Sequence, residues 1–340
     1  MNGLERAPGS FYTRREMPDR LLTLADPDLR PIARKVLDGI DLDEREGVTL
    51  YASRDVHGIG RLANFVREQL HGKATYFNRN RHINYTNVCA LSCKFCSFYR
   101  KRGEDGAYEM PVEQVVATAK KAAEAGATEV HIVGGLHPWL KFDYYLEMLS
   151  GIRAACPALH IKAFTAIEIV HFSRLARLNI AEVLTALREA GLGSLPGGGA
   201  EIFDDRVHDE VFKGKVRADR WFEVHRTAHA LGIPSNATML YGHVERPDER
   251  IRHLIKLRQL QTESLDRPAR FNCIIPLSFI PEHSELGALP GPTGLTDLKT
   301  LAIARLMVRN IPHIKAFWIM GGSACRRWPK AGGAMIWTVR

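Results

Sequence analysis

With 340 residues, 45% hydrophobic and 25% charged, the chain has apolar material for one large α/β domain or two ordinary ones. No run approaches the ~18–20 consecutive apolar residues of a membrane span, and the polar first segment MNGLERAPGSFYTRREMPDR lacks an apolar signal core, so a cytoplasmic location with no membrane partner is expected. The net charge of +9 includes four cations, Arg326, Arg327, Lys330 and Arg340, in an acid-free tail. The remaining body is mildly basic, which suits an anionic small molecule as well as nucleic acid, but no RRM, zinc-knuckle or helix-turn-helix signal favours the latter, so no nucleic-acid partner is expected.

Residues 1–80 read as a helical extension: PDLRPIARKVLDGI and GIGRLANFVREQLHG repeat apolar residues at helical spacing, with Pro27 and Asp28 as start residues and Gly72 as a stop. From His82 the pattern becomes short apolar runs alternating with amphipathic helices. Strands are expected at 82–88, 128–135, 160–169, 193–202, 233–243, 269–279 and 314–320. Helices are expected near 111–126, 143–155, 178–190, 219–231, 248–263 and 296–309. Such steps imply parallel strands joined by crossover helices, hence an α/β fold of the (β/α) TIM-like barrel type over residues 81–320 as one domain. A doubly wound open sheet shares the same alternation.

In such barrels the chemistry sits where the strands end. The polar and glycine-rich clusters fall there: Asn87 with the cysteines, Gly134–Gly135, Glu168, Pro196–Gly199 and Gly242–His243. Three of the six cysteines form C-x₃-C-x₂-C at Cys89, Cys93 and Cys96, whereas Cys156, Cys273 and Cys325 are scattered and read as small buried hydrophobes. Three thiolates on one loop can hold three corners of a [4Fe–4S] cluster and leave the fourth iron open to S-adenosylmethionine (SAM). Structural zinc prefers four ligands in paired knuckles, and only one C-x₂-C is present. A non-catalytic Fe–S or zinc protein is the alternative of a different class.

The cysteine segment resembles the radical SAM superfamily, whose C-x₃-C-x-φ-C motif has an aromatic where Phe95 stands. The strings NRHINYTNVCALSCKFCSFYRK, VGGLHPWL, KAFTAIEI, LPGGGAEIF, RTAHALGIPSNATMLYGHVE and NIPHIKAFWIM are together similar to the aminofutalosine synthases of menaquinone biosynthesis, over roughly residues 25–320. The resemblance implies a transferase that adds the 5′-deoxyadenosyl radical to 3-[(1-carboxyvinyl)oxy]benzoate, with rearrangement and decarboxylation to 6-amino-6-deoxyfutalosine. SAM would be the co-substrate, the acceptor an anionic aryl enol ether, and the partner an external one-electron donor such as flavodoxin or ferredoxin. Dehypoxanthine futalosine cyclase and deazaflavin-cofactor synthase-like chemistry are the alternatives within the superfamily.

Cys89, Cys93 and Cys96 are the expected metal ligands, and Phe95, Gly134, Gly135, Thr165 and Glu168 the expected cofactor contacts. The two glycines let backbone approach a ligand. Glu168, a carboxylate in an apolar strand, needs a partner such as ribose hydroxyls, a lysine or backbone amides, with Thr165 a weaker candidate beside it. Pro196–Gly199 suits an anion or adenosyl group as well as a plain turn. His137 and Trp139 could line the mouth, and Asn236, Thr238 and His243 could point inward. His225 and His229 read as packed, and Arg79, Arg81 and the run Arg100–Arg102 as solvated surface. No catalytic residue emerges.

After Met320 the chain departs from the pattern the resemblance implies, a helix and a further strand with a Gly-Ala-Asp-Asp-x-Asp-Gly-Thr-like string. Ala334–Val339 can be encoded by nucleotides that, in a shifted phase, read Asp-Asp-Met-Asp-Gly. Residues 321–340 are therefore expected to be a frameshifted tail that truncates the C-terminal end of the fold and leaves an open barrel edge.

Overall fold

A computed structural model of the chain describes residues 23–24, 26–212, 214–317 and, as backbone, 336–339. Three helices come first: α1 (Leu29–Asp38), α2 (Glu44–Ala52) and α3 (Val56–His71). The pattern at 27–40 and 58–72 locates α1 and α3 but passes over α2, which starts at a capping box. Asp43 Oδ1 accepts from Glu46 N–H at 2.8 Å and Glu46 Oε2 accepts from Asp43 N–H at 2.9 Å, satisfying two donors a helix start leaves open.

The α/β part runs β1 (Tyr76–Ile83), α4 (Val112–Glu124), β2 (Glu129–Ile132), α5 (Phe142–Ala155), β3 (His160–Ala163), α6 (Ala166–Ala176) and α7 (Ile180–Ala190). It continues with α8 (Asp205–Val211), α9 (Ala218–Ala230), β4 (Ser235–Tyr241), α10 (Pro247–Glu263), β5 (Phe271–Ser278), α11 (Gly294–Met307), β6 (His313–Ala316) and β7 (Ile336–Val339). The sheet order is β3-β2-β1-β7-β6-β5-β4, and every neighbouring pair is parallel. Helices cover the strands, so β4 is buried at every position, as a parallel strand covered on both faces must be. Among the described residues, no helix is long and apolar enough to cross a membrane.

The first strand lies earlier than the expected 82–88, at 76–83, and several others are shorter than their apolar runs, two of them through a change of structure. The 160–169 run stops at Ala163, because Phe164 adopts φ +62° and turns the chain, and Thr165 then N-caps α6. A buried phenylalanine in the left-handed region is uncommon and is held by its surroundings, here the rings of Tyr85, Tyr145 and Phe172. The 193–202 run supplies only the single bridges Lys162↔Ser194 and Leu195↔Ser235, which link the two outer strands β3 and β4.

The division drawn at residues 80 and 81 falls inside β1, and the first helices share one hydrophobic core with the sheet. Arg258 Nη1 donates to Leu42 O at 2.9 Å, Arg309 Nη1 to Val36 O at 2.7 Å and Lys299 Nζ to Tyr51 O at 2.6 Å. The expected open edge is also corrected. The backbone of β7 fills the gap, pairing Tyr76↔Ile336 on one side and Lys315↔Ile336 on the other. Ile-Trp-Thr-Val is β-branched and aromatic, a composition that suits a strand whatever the origin of the segment. The rest of the 321–340 tail, with Cys325, lies outside the described residues.

The α2–α10 contact is tight at Gly47, where an added Cβ would meet Ile251 Cδ1 at 2.6 Å. Gly47→Val is expected to lower the denaturant midpoint, at a cost of about 1–3 kcal/mol from overpacking. An unchanged midpoint would show that the N-terminal helices are not part of the cooperative unit.

Candidate functional site

The loop between β1 and α4 carries Cys89, Cys93 and Cys96 at the C-terminal end of the sheet. Its base is closed by Cys89 N–H to Arg100 O at 3.0 Å and Arg100 N–H to Asn87 O at 2.8 Å. Three other segments hold its sides: Ala90 N–H donates to Leu136 O, Lys94 N–H to Val211 O at the end of α8, and Glu285 N–H to Lys94 O. Lys101, expected at the solvated surface, instead donates through Nζ to Cys89 O at 3.1 Å and Leu91 O at 2.9 Å. Arg102 lies over the exposed Trp139 ring at 4.7 Å. His137 is buried with Nε2 2.7 Å from Glu109 Oε2.

The three sulfurs have different surroundings. Cys89 Sγ accepts from the backbone N–H groups of Leu91 at 3.4 Å and Leu136 at 3.3 Å. Cys93 is buried, and burial pushes its thiol up to about 12 against the pull of the Lys215 ammonium. Cys96 is partly exposed. Phe95 meets the Phe212 ring edge-on at 5.1 Å, and Lys215 Nζ stands 5.4 Å and 5.3 Å from these two rings while pairing with Glu201. Phe212, Lys215 and Glu201 also line a cavity of about 590 Å³ between the α8–α9 loop and α10.

Gly134 and Gly135 admit protein rather than open space. A Cβ on Gly134 would lie 2.6 Å from the Tyr85 ring, and one on Gly135 would run into Val88 O. The glycines therefore let the end of β2 lie directly against the cysteine loop. Glu168 lies not in a strand but in the first turn of α6, and its carboxylate is engaged by protein donors. Oε1 accepts from Tyr85 OH at 2.8 Å and Gly134 N–H at 3.1 Å; Oε2 accepts from Thr165 N–H at 2.7 Å and Thr165 Oγ1 at 2.8 Å. The anticipated partners of Glu168 were ribose hydroxyls, a lysine or backbone amides; the structure supplies two amides and two hydroxyls of the protein. Burial still pushes its carboxyl up to about 7.

The glycine run packs in the same way: Gly198 would meet Thr165 Cγ2 at 2.7 Å, and Thr238 Oγ1 donates to Gly197 O at 2.8 Å. His225 and His229 are fully buried, both bonded to Ser235 Oγ. Cys156 and Cys273 are buried as expected.

A family model described as the radical SAM superfamily matches residues 83–257. The chain belongs to the radical SAM superfamily. An aminodeoxyfutalosine synthase of Thermus thermophilus is 48% identical over 299 residues, covering 87% of this chain and 79% of that protein. A 5-amino-6-(D-ribitylamino)uracil–L-tyrosine 4-hydroxyphenyl transferase of Methanopyrus kandleri is 40% identical over 84% of this chain and 78% of its own length. The fold is similar to the crystal structure of a methylornithine synthase, with a TM-score of 0.72 at 20% identity, over 90% of this chain and 84% of that one. This radical SAM protein is thus an enzyme of the transferase class that works with a [4Fe–4S] cluster and SAM.

The donor set fits that cluster better than a single ion. Among the described residues, no three His, Cys, Asp or Glu side chains converge on one point, as zinc would require. A cubane instead accepts each thiolate on a different iron. The residues that sequence reasoning missed here are Tyr85, Lys101, Lys215 and Glu201. Tyr85 lies inside the 82–88 apolar run and carries no local signal of its own, and the Lys215–Glu201 pair is visible only once α8 folds back.

Gly135→Ala is expected to cost about 1–3 kcal/mol, because backbone must shift, and to lower the iron bound per chain after reconstitution. Full iron loading would show that the β2 contact does not set the loop. For Glu168, the folded carboxyl keeps its proton up to about pH 7, whereas the unfolded one loses it near 4.5. This contribution to stability is full below 4.5 and lost as pH rises to 7. Glu168→Gln should therefore gain on wild type across that window, by at most about 1.4 kcal/mol per pH unit. A flat difference in denaturation free energy would mean that the four donors override burial.

Proposed function

We propose that this radical SAM enzyme is an aminofutalosine synthase, joining the 5′-deoxyadenosyl group of SAM to 3-[(1-carboxyvinyl)oxy]benzoate and releasing carboxylate carbon to give 6-amino-6-deoxyfutalosine. The observation that carries the reading is the 48% identity to a synthase across 87% of the chain, which spans the whole cysteine loop and the strand ends around it. When bound, the cluster supplies the electron that cleaves SAM into methionine and a 5′-deoxyadenosyl radical. Cys89, Cys93 and Cys96 are the residues that would hold the cluster, and three thiolates would leave one iron open to SAM. Phe95, wedged on Phe212, keeps the loop's apolar side closed to water. Gly134, Gly135, Thr165 and Glu168 act by positioning: they fix the ends of three strands beneath the loop. The electron donor is a flavodoxin- or ferredoxin-type protein, and a reducing cytoplasm suits the free thiols.

A second reading within the superfamily, deazaflavin-cofactor synthase-like chemistry, is favoured by the 40% identity to the M. kandleri transferase, whose name gives L-tyrosine and a ribitylaminouracil as its substrates. Anaerobic reconstitution with iron and sulfide, followed by incubation with SAM and each acceptor, separates the two. The expected product is a single adduct containing both the deoxyadenosyl and aryl groups. Free 5′-deoxyadenosine with tyrosine as acceptor, and no adduct with the enol ether, would overturn the synthase assignment. Cys93→Ala should lose the cluster's absorbance and SAM cleavage together; retention of both would remove Cys93 from the ligand set.

A further inference from the structure

The inside of the sheet carries charge that the cysteine loop does not use. His82, His131 and Lys162 stand in one register row across β1, β2 and β3, each the penultimate residue of its strand. The rings of His82 and His131 stack with centroids 4.5 Å apart, and Phe317 lies 5.8 Å from His82. One step toward the strand starts, Glu129 is held on three sides. Asn78 and Asn80 donate to its Oε1 at 2.8 and 3.3 Å, and Lys162 Nζ is 2.6 Å from its Oε2.

Lys315, penultimate in β6, is as buried as Lys162, each 6% exposed. Glu129 is the one carboxylate among the described residues whose charge reaches Lys315, and it already pairs with Lys162. Residues 318–340 contain no Asp or Glu. Burial and the two lysines hold the His131 imidazole well below its ordinary range, so it stays neutral and balances nothing. Among the described residues, this layer therefore sets two lysines against one carboxylate, and burial lowers the Lys315 ammonium from its ordinary range. A buried charge without a counter-ion is strongly unfavourable, unless a ligand brings the missing anion.

We propose that Lys315, supported by Lys162 and the His82–His131 stack, recognises the carboxylate of an aryl carboxylic acid substrate inside the sheet. The stacked rings and Phe317 offer flat faces to the aryl group. β1 runs from His82 straight into the cysteine loop, so an acceptor anchored here by its benzoate carboxylate points its reacting end at the SAM site. The proposal rests on the synthase reading for the identity of that acid.

Equilibrium dialysis of the full chain, reconstituted and saturated with SAM, tests it with 3-[(1-carboxyvinyl)oxy]benzoate and its benzoate methyl ester as probes. Wild type should bind the ester at least about 30-fold more weakly than the diacid, the scale expected when a buried charge loses its partner. Equal binding would overturn the site without any variant. Lys315→Met should weaken diacid binding by a similar factor, leave ester binding nearly unchanged, and raise the melting temperature of the substrate-free chain, since an unbalanced buried charge has gone. Lys315→Arg should retain most of the diacid affinity. Unchanged diacid binding by Lys315→Met would sink the proposal while leaving the synthase assignment intact. If wild type forms no enol-ether adduct but binds L-tyrosine in a Lys315-dependent way, the assignment fails and the carboxylate site stands.

Discussion

The Glu168 carboxylate accepts from Tyr85, from Gly134 and twice from Thr165, so the ends of β1, β2 and β3 share one buried anchor. Each oxygen receives two donors, which uses the acceptor capacity of the group. Without that anchor, three separate loops would have to be ordered one by one, each against its own conformational entropy. Tyr85 is the decisive link. It precedes the cysteine loop by a few residues, so its hydroxyl transmits the position of α6 to the segment on which the cluster chemistry depends.

Close backbone packing completes what the anchor begins. Gly134 and Gly135 let the end of β2 slide under Tyr85 and Val88, and this brings Leu136 N–H to the sulfur of Cys89. Lys101 closes the opposite side by binding two carbonyls of the same loop. The loop is thus braced by the protein itself before any cofactor arrives. Preorganisation of this kind lowers the ordering cost at the moment of binding.

The sheet interior follows a different rule. Polar groups replace the usual branched aliphatic layers at Asn80, Glu129, Lys162 and Lys315. Replacing buried ion pairs with apolar side chains is commonly neutral or stabilising, so such residues in a core point to recognition rather than to folding. Stability here comes from the shell: Arg258 of α10, Lys299 of α11 and Arg309 just after it donate to the main-chain carbonyls of Leu42, Tyr51 and Val36 in the α1–α2 region.

Much of this was legible in the sequence. The parallel α/β order followed from alternating runs, and every helix from α3 onward except α6 and α8 lies close to where its periodicity puts it, because crossover helices carry their own apolar stripe. C-x₃-C-x₂-C grouped the three thiols on one loop, because such spacing is local. Glu168 stands out in the sequence as a carboxylate needing partners; Thr165, three residues earlier, supplies two of them locally, whereas Tyr85 and Gly134 lie on other elements, and the positive φ of Phe164 moves Glu168 from strand to helix. The apolar composition of 160–169 could not reveal that turn. Lys162 and Lys315 look like ordinary strand lysines along the chain; only the register of β1, β2 and β3 and the return of β6 put both beside a single glutamate. Local spacing determined the element order and the grouping of the three thiols, whereas charge balance, glycine packing and the long-range donors to each carboxylate were decided by contacts between residues far apart in the chain.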